Sequence, residues 1–198
     1  MKDEMFEFRK NALQGALTSP LCKEYNVEWF ANSNNKEKLV ALALRQQSCP
    51  YFAHHCYMGK GLSMEYLKSE FSKYINGYTI KDADGVQGYT YGLYVDYDFA
   101  NGITMDKDVA HVMWTRNEII IPVSKCPTVY VSNKSNVSVV CEGCNYVRIY
   151  IFDESSVTLD DIDNDSNVAI YKYSDKCVVK KERYCLGVVK EFRKELRL

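Results

Sequence analysis

The densest cluster of side chains that could bind a metal ion lies in one short segment before residue 60. It comprises Cys49, His54, His55 and Cys56. Thiolate and imidazole are ligands that zinc prefers, and a structural zinc site takes four such groups in a tetrahedron. The cluster could supply three of them, but no second half with zinc-motif spacing follows nearby. The sequence therefore favours a buried Cys and aromatic segment with surface histidines, and zinc is the alternative.

A second pair, Cys141 and Cys144, has Cys-x-x-Cys spacing, which occurs in redox enzymes and in zinc sites. Redox enzymes place this pair at the N-terminus of a helix, which lowers the thiol pKa. Here the pair lies between two predicted strands. We therefore expect these two cysteines to lie in a turn and to have no chemical function. A zinc site or a redox pair is the alternative.

The acidic segment Asp161–Asp165 has carboxylates at alternate positions, as at the start of an EF-hand loop. The glycine that such a loop needs is replaced by Ser166, and its bidentate glutamate by Lys172. A solvated acidic turn is therefore expected, and weak calcium binding is the alternative.

Nothing in the sequence commits the chain to a reaction. It has three histidines, no Gly-x-Ser-x-Gly elbow and no glycine-rich phosphate loop. We predict a non-enzymatic binding or structural module with no cofactor. The alternative is a small metal-dependent enzyme or a nucleic-acid-associated factor that uses the Cys and His groups named above.

Three tyrosines, Tyr130, Tyr150 and Tyr171, are spaced by 20 and 21 residues and lie within short apolar segments. On a repeating fold they would stack on one outer face, close to Tyr146 and Arg148. Aromatic rings bury a large area at low entropic cost, and with an arginine they are typical of protein- or glycan-binding surfaces. The alternative is that this face packs against another part of the chain.

The elements that position these residues are predicted by pairs of apolar residues that recur about every ten positions between Thr128 and Val179. Residues two apart on a strand point to the same side. The pairs are Val129/Val131, Val137/Val139, Val147/Ile149, Val157/Leu159, Val168/Ile170 and Cys177/Val179. Because alternate strands resemble each other, we predict a β-solenoid with two strands in each coil. An antiparallel β-sandwich, which has similar strand spacing, is the alternative.

The predicted fold class is α+β, with three segments. Residues 1–80 show apolar residues at helical spacing between proline and glycine stops, which predicts a small helical lobe. Residues 81–187 form the β-rich repeat domain. Residues 188–198 again show helical spacing, and we predict a C-terminal helix that caps the open end of the β-region.

Charge is distributed unevenly along the 198 residues. Residues 1–80 carry 10 Lys and Arg against 8 Asp and Glu, residues 81–175 carry 7 against 15, and residues 176–198 carry 8 against 3. An acidic β-region repels phosphate, so we expect no nucleic-acid partner. A protein or glycan partner is expected instead, and open β edges would allow a homo-oligomer.

The sequence contains no signal-peptide core and no apolar run long enough to span a membrane. We therefore expect a cytoplasmic protein that does not associate with membranes. Its eight cysteines would then be reduced thiols rather than a disulfide framework.

The helical segment Gly61–Gly77, the pair Asp84-Gly85 and the Ser-x-Val-x-Val repeat of residues 135–139 with its later variants occur in this order. In these features the chain resembles uncharacterised accessory proteins carried on phages and mobile elements of gut bacteria. The resemblance spans about residues 20–180. It implies a binding or structural accessory protein, and it brings no catalytic residues with it.

Overall fold

The computed structural model describes residues 31, 38, 79–81, 90–95, 102–143, 146–182 and 184–194. The chain forms two compact units, Met1–Lys73 and Tyr74–Leu198. Apart from Ala31 and Lys38, the described residues all belong to the second unit, which is described below by itself.

Twelve strands form the described part of the second unit. They are β1 Thr79–Lys81, β2 Thr90–Val95, β3 Ile103–Thr104, β4 Val109–Met113, β5 Arg116–Ile121, β6 Thr128–Ser132, β7 Asn136–Cys141, β8 Val147–Ile151, β9 Ser156–Ile162, β10 Asn167–Lys172, β11 Val178–Lys181 and β12 Val188–Arg193. Sheet A has seven strands in the order β1-β2-β4-β6-β8-β10-β12. Sheet B has five, in the order β11-β9-β7-β5-β3.

Neighbouring strands are parallel in both sheets, except that β1 pairs antiparallel with β2. Each coil contributes one strand to each sheet and pairs with the next coil in register, so that Val137 lies beside Val157 and Tyr130 beside Tyr150. The predicted β-solenoid is confirmed. The alternative antiparallel sandwich is wrong, because its neighbouring strands would run in opposite directions.

Inward-facing aliphatic side chains form continuous columns between the two sheets. One column runs through Ala110, Val129, Ile149 and Ile170, which are paired in that order and have no exposed surface. Full burial of one such Val or Ile side chain contributes about 1.5–3 kcal/mol. The apolar pairs of the sequence thus arise because residues two apart both face the space between the sheets.

A column of small polar side chains lines one corner of the coils. Its members, Thr115, Ser135, Ser155 and Cys177, are all buried. The backbone N–H of Thr115 donates to Ser135 Oγ at 3.1 Å, and the N–H of Ser135 donates to Ser155 Oγ at 3.2 Å. These bonds satisfy backbone groups that the strands leave at the turn, which lowers the cost of burying the corner. They also give a reason for the serine that begins the sequence repeat.

The same corner holds a carboxylate between two coils. Asn133 and Lys134 adopt left-handed backbone conformations, with φ of 58° and 57°. The N–H groups of both residues donate to the carboxylate of Asp153, at 2.5 Å for Asn133 and 3.1 Å for Lys134. Successive N–H groups in such a turn form a concave site for an anion. The Asp153 carboxylate therefore connects its own coil to the preceding coil by two hydrogen bonds.

The predicted C-terminal helix is wrong. Residues Val188–Arg193 form β12, which pairs with β10 over six residues, from Asn167 beside Val188 to Lys172 beside Arg193. A segment of this length is marginal as a separate helix, whereas the edge of β10 offers a complete row of backbone partners. Tertiary pairing therefore overrides the helical spacing of the apolar residues.

The α+β class is also wrong for the described residues, since every element that they form is a strand. Ala31 and Lys38 have helical backbone as isolated described positions and delimit no helix. The rest of the predicted helical lobe lies outside the described residues, apart from β1. Within the described ranges no helix is long and apolar enough to cross a membrane.

The inward columns change character in the last coil. The column of Ile149 and Ile170 continues to Glu191, and the column of Ile151 continues to Lys172 and Arg193. Glu191 is exposed, and its carboxylate lies 3.6 Å from the ammonium groups of Lys172 and Lys181. Two inward columns therefore end in charged side chains at the C-terminal end of the solenoid, while a third continues from Val168 to Val189, which packs against the core.

Candidate functional site

The outer face of sheet A carries a row of rings, one from each of five neighbouring strands. We call His111, Tyr130, Tyr150, Tyr171 and Phe192 the aromatic ladder. They occupy equivalent register positions on β4, β6, β8, β10 and β12. Their neighbours along each strand face the core, so the alternation of the strand turns these rings away from it.

The rings of the aromatic ladder are stacked face to face from coil to coil. The His111 and Tyr130 ring centroids are 4.8 Å apart, and the next three distances along the ladder are 4.9, 4.8 and 5.0 Å. The interplanar angles lie between 7° and 15°. These distances match the spacing of hydrogen-bonded strands. Each inner ring thus has both faces against its neighbours, and the ring edges and hydroxyl groups point outward.

Exposure increases along the aromatic ladder towards the C-terminus. His111 is 1% exposed and Tyr130 is 8% exposed. Tyr150 and Tyr171 are half-buried, and Phe192 is 40% exposed. The part of the ladder that can contact another molecule therefore lies on β8, β10 and β12.

Cations flank this accessible part. The guanidinium carbon of Arg148 lies 5.2 Å from the ring centroid of Tyr146, and Lys194 Nζ lies 5.8 Å from that of Tyr171. Both distances are within the range of cation–π attraction. Burial, together with the neighbouring Tyr171, raises the pKa of Tyr150. Its hydroxyl group therefore remains a hydrogen-bond donor at neutral pH.

His111 forms the buried end of the aromatic ladder. Among the described residues, no hydrogen-bond partner lies within reach of its Nε2 atom, which is inaccessible to solvent. Burial lowers the pKa of His111 to about 3, because the charged imidazolium would lose its hydration. The ring is therefore neutral at physiological pH and acts as a flat stacking partner for Tyr130.

A shorter stack lies beside the aromatic ladder. Phe152 and Tyr173 follow β8 and β10 and have ring centroids 4.9 Å apart at 13°. Tyr173 also lies 6.2 Å from Tyr150. Phe152 is buried, so this second stack supports the corner of the coils next to the ladder.

The predicted metal ligands are not brought together in the described residues. Cys49, His54, His55 and Cys56 lie outside them, and so does Cys144. Cys141 ends β7 and is 2% exposed among core side chains. Within the described part of the chain, no three His, Cys, Asp or Glu side chains form a group that could hold a metal ion.

The outer face of sheet B has a different character. A groove of about 580 Å³ lies on this face, next to a shift in strand register between Val139 and Cys141. Its lining includes the four carboxylates Glu118, Glu142, Asp160 and Asp161, with Tyr184 at the side. The sequence analysis did not predict this groove, because the residues come from three coils. The excess of Asp and Glu over Lys and Arg in residues 81–175 was the sequence feature that indicated an acidic surface.

Both ends of the aromatic ladder were also absent from the sequence-based prediction. His111 precedes Tyr130 by 19 residues and Phe192 follows Tyr171 by 21, so the period extends to both. His111 was not counted as an aromatic ring, and Phe192 was assigned to a helix. Of the predicted surface residues, Tyr130, Tyr150 and Tyr171 form the stack, while Tyr146 and Arg148 lie at its side.

Comparisons with known proteins give no relative for this chain: no family model, no curated protein and no solved structure matches it.

Proposed function

We propose that this protein is a non-enzymatic binding module, and that the outer face of sheet A binds an acidic segment of a partner protein. The proposal rests on one observation, which is that the stacked rings of the aromatic ladder present edges and hydroxyl groups, flanked by cations, rather than open ring faces.

Ring orientation favours an anionic partner over a sugar. An aromatic ring is negative on its face and positive at its edge. Sugar recognition by aromatic residues uses the ring face, and the faces of Tyr150 are already covered by Tyr130 and Tyr171. The exposed edges and the Tyr hydroxyl donors are instead complementary to carboxylates.

The charges of this face support the same proposal. The outward positions of β6, β8, β10 and β12 include Arg148 and Lys190 and no carboxylate, and Lys194 follows directly. The carboxylates of the groove lie on sheet B. Because this face carries cations and the groove on sheet B carries carboxylates, an acidic partner is attracted to sheet A and repelled by that groove.

Binding of a fluorescent polyglutamate peptide to the full chain tests this proposal. At low salt we expect saturable binding that weakens steeply as ionic strength rises above about 0.1 M. Arg148→Glu should weaken binding by roughly tenfold or more, because it replaces an attraction with a repulsion at the ladder. Lys180→Glu is the matched control, since it makes the same charge change on the exposed edge of sheet B and should leave peptide binding unchanged.

Equal losses in Arg148→Glu and Lys180→Glu would mean that the response reflects net charge alone, and would remove the proposal. Duplex DNA and a neutral oligosaccharide serve as competitors. Tighter binding of DNA would favour the nucleic-acid-associated alternative, and displacement by the oligosaccharide would favour a glycan partner.

The broader assignment to accessory proteins of phages and mobile elements stays a prediction, as does the absence of enzymatic activity. Cytoplasmic localisation is likewise part of the proposal. It would be contradicted by export of the full chain in a bacterial host.

A further inference from the structure

The C-terminal edge of sheet A is formed by β12, and no described strand pairs with its outer side. The N–H of Val188 donates to Ser166 O and the N–H of Lys194 donates to Lys172 O, both at 2.9 Å. In a parallel ladder alternate residues bond to the same neighbour. The backbone groups of Val189, Glu191 and Arg193 therefore face the outer edge.

Apolar surface is concentrated at this edge. Val188 is 50% exposed, Phe192 is 40% exposed and Leu186 is 71% exposed. Phe192 is also the last ring of the aromatic ladder, with Tyr171 stacked on one side at 5.0 Å. The stacking surface on its other side is available to a further ring.

We propose that β12 pairs antiparallel with β12 of a second copy of this chain, with the two-fold axis at Phe192. This register places Phe192 against Phe192 of the partner subunit. It also places Glu191 beside Arg193 of the partner subunit, and Arg193 beside Glu191 of the partner subunit. The aromatic ladder then continues across the dimer axis.

Backbone geometry fits this register. Glu191 and Arg193 have their N–H and C=O groups at the outer edge, so each pair exchanges two hydrogen bonds. Phe192 then occupies the non-hydrogen-bonded position, where opposite side chains lie closest. A register centred on Lys190 or on Glu191 would instead place like charges opposite each other, which is destabilising.

The charges on β12 have a second role that agrees with this dimer. Charged residues at core-facing positions of an edge strand prevent further strands from adding. If another coil were added, Glu191 and Arg193 would lie against its apolar inward residues. In the antiparallel register, Glu191 instead lies beside Arg193 of the partner subunit, and the two charges neutralise each other. At present Glu191 pairs with Lys172 and Lys181, and Arg193 pairs with Asp175. These ion pairs are partly or fully exposed to solvent, so they contribute little and can be exchanged.

A single pair of edge strands is a small interface, so we expect weak association, on the order of tens of micromolar. Sedimentation velocity of the full chain over a concentration series should show a monomer–dimer equilibrium. In Arg193→Glu positions 191 and 193 are both acidic, and in Glu191→Arg both are basic. Because these positions lie opposite each other in the dimer, like charges would repel and each variant alone should remain monomeric. Mixed together, the two variants should form a heterodimer, because every opposite pair is then complementary.

Lys180→Glu, which leaves β12 intact, should dimerise as the wild type does. Arg148→Glu should also dimerise normally, so that failure of peptide binding and failure of dimerisation are separate results. Hydrogen exchange of the wild-type protein provides a test without variants: the N–H groups of Glu191 and Arg193 should gain protection as protein concentration rises.

A wild-type protein that remains monomeric at roughly ten times the expected dissociation constant would overturn the proposal. Dimers that persist in both single variants, or a mixture of the variants that stays monomeric, would overturn it as well.

Discussion

The middle coils and the last coil of this solenoid have the same parallel backbone pairing but differ in their inward-facing side chains. Between β6 and β9 the inward columns are entirely apolar, with Ile149 and Val157 completely buried. In the last coil the same columns hold Glu191 and Arg193, which are exposed. Parallel pairing alone could continue without limit, so the side chains decide where the solenoid ends.

The outer face shows the reverse trend along the same axis. The aromatic ladder is buried at His111 and open at Phe192. Towards the C-terminus, the inward columns thus become less apolar while the rings of the aromatic ladder become more exposed. Stability should therefore be concentrated in the middle coils, and contacts with other molecules should be concentrated in the last one.

The largest expected effect comes from shortening a core side chain in a middle coil. Ile149→Ala should lower the free energy of unfolding by about 3 kcal/mol, because a fully buried side chain leaves a cavity. Glu191→Ala, at the same position of the last coil, should change it by less than about 0.5 kcal/mol. Urea denaturation of both variants measures the comparison, and equal losses would contradict it.

A smaller effect should come from the buried end of the aromatic ladder. The pKa of His111 is lowered to about 3 in the folded protein, so the unfolded chain takes up the proton first as pH falls below about 6.5. Stability should therefore be complete above pH 6.5 and decline towards pH 3, with a loss of about 2 kcal/mol by pH 5.

His111→Phe keeps the ring and removes the titration. Its stability should be flatter between pH 5 and 7 than that of the wild type, in paired denaturation curves. If the two proteins lose stability in parallel, His111 is not held neutral by burial and the ladder is more open at that end than described.

The corner turns allow a third comparison. Asp153→Ala should cost about 1.5 kcal/mol, since the N–H groups of Asn133 and Lys134 lose their acceptor. Asp175, in the turn between β10 and β11, makes an exposed ion pair with Arg193, so Asp175→Ala should cost less than about 0.5 kcal/mol. Thermal denaturation of the two variants should rank them in this order, and a larger loss for Asp175→Ala would show that the last corner also supports the coils.

Much of the solenoid could be predicted, because a parallel in-register stack converts sequence spacing directly into spatial position. The 20- and 21-residue spacing of Tyr130, Tyr150 and Tyr171 therefore predicted their stacking correctly. The same logic fails at the last coil. The apolar residues of the β12 segment are spaced as on a helix, and only the free edge of β10 makes a strand the better solution.

The candidate site was predicted less completely than the fold. Spacing placed Tyr150 and Tyr171 on one face as a protein- or glycan-binding surface, but it did not predict whether the faces or the edges of the rings are exposed there. The ring planes follow from packing between neighbours 4.8–4.9 Å apart. Periodicity contains no information about such rotations.

The period of the coils, the side of each strand that faces the core and the column that contains the tyrosines can all be predicted from the amino-acid sequence. These follow from local geometry, because each residue's side on a strand is set by its immediate neighbours. Three other features follow from contacts between coils: β12 is a strand, the rings expose their edges, and two inward columns end in charged residues. These features depend on the packing of side chains from neighbouring coils, which are about 20 positions apart in the sequence.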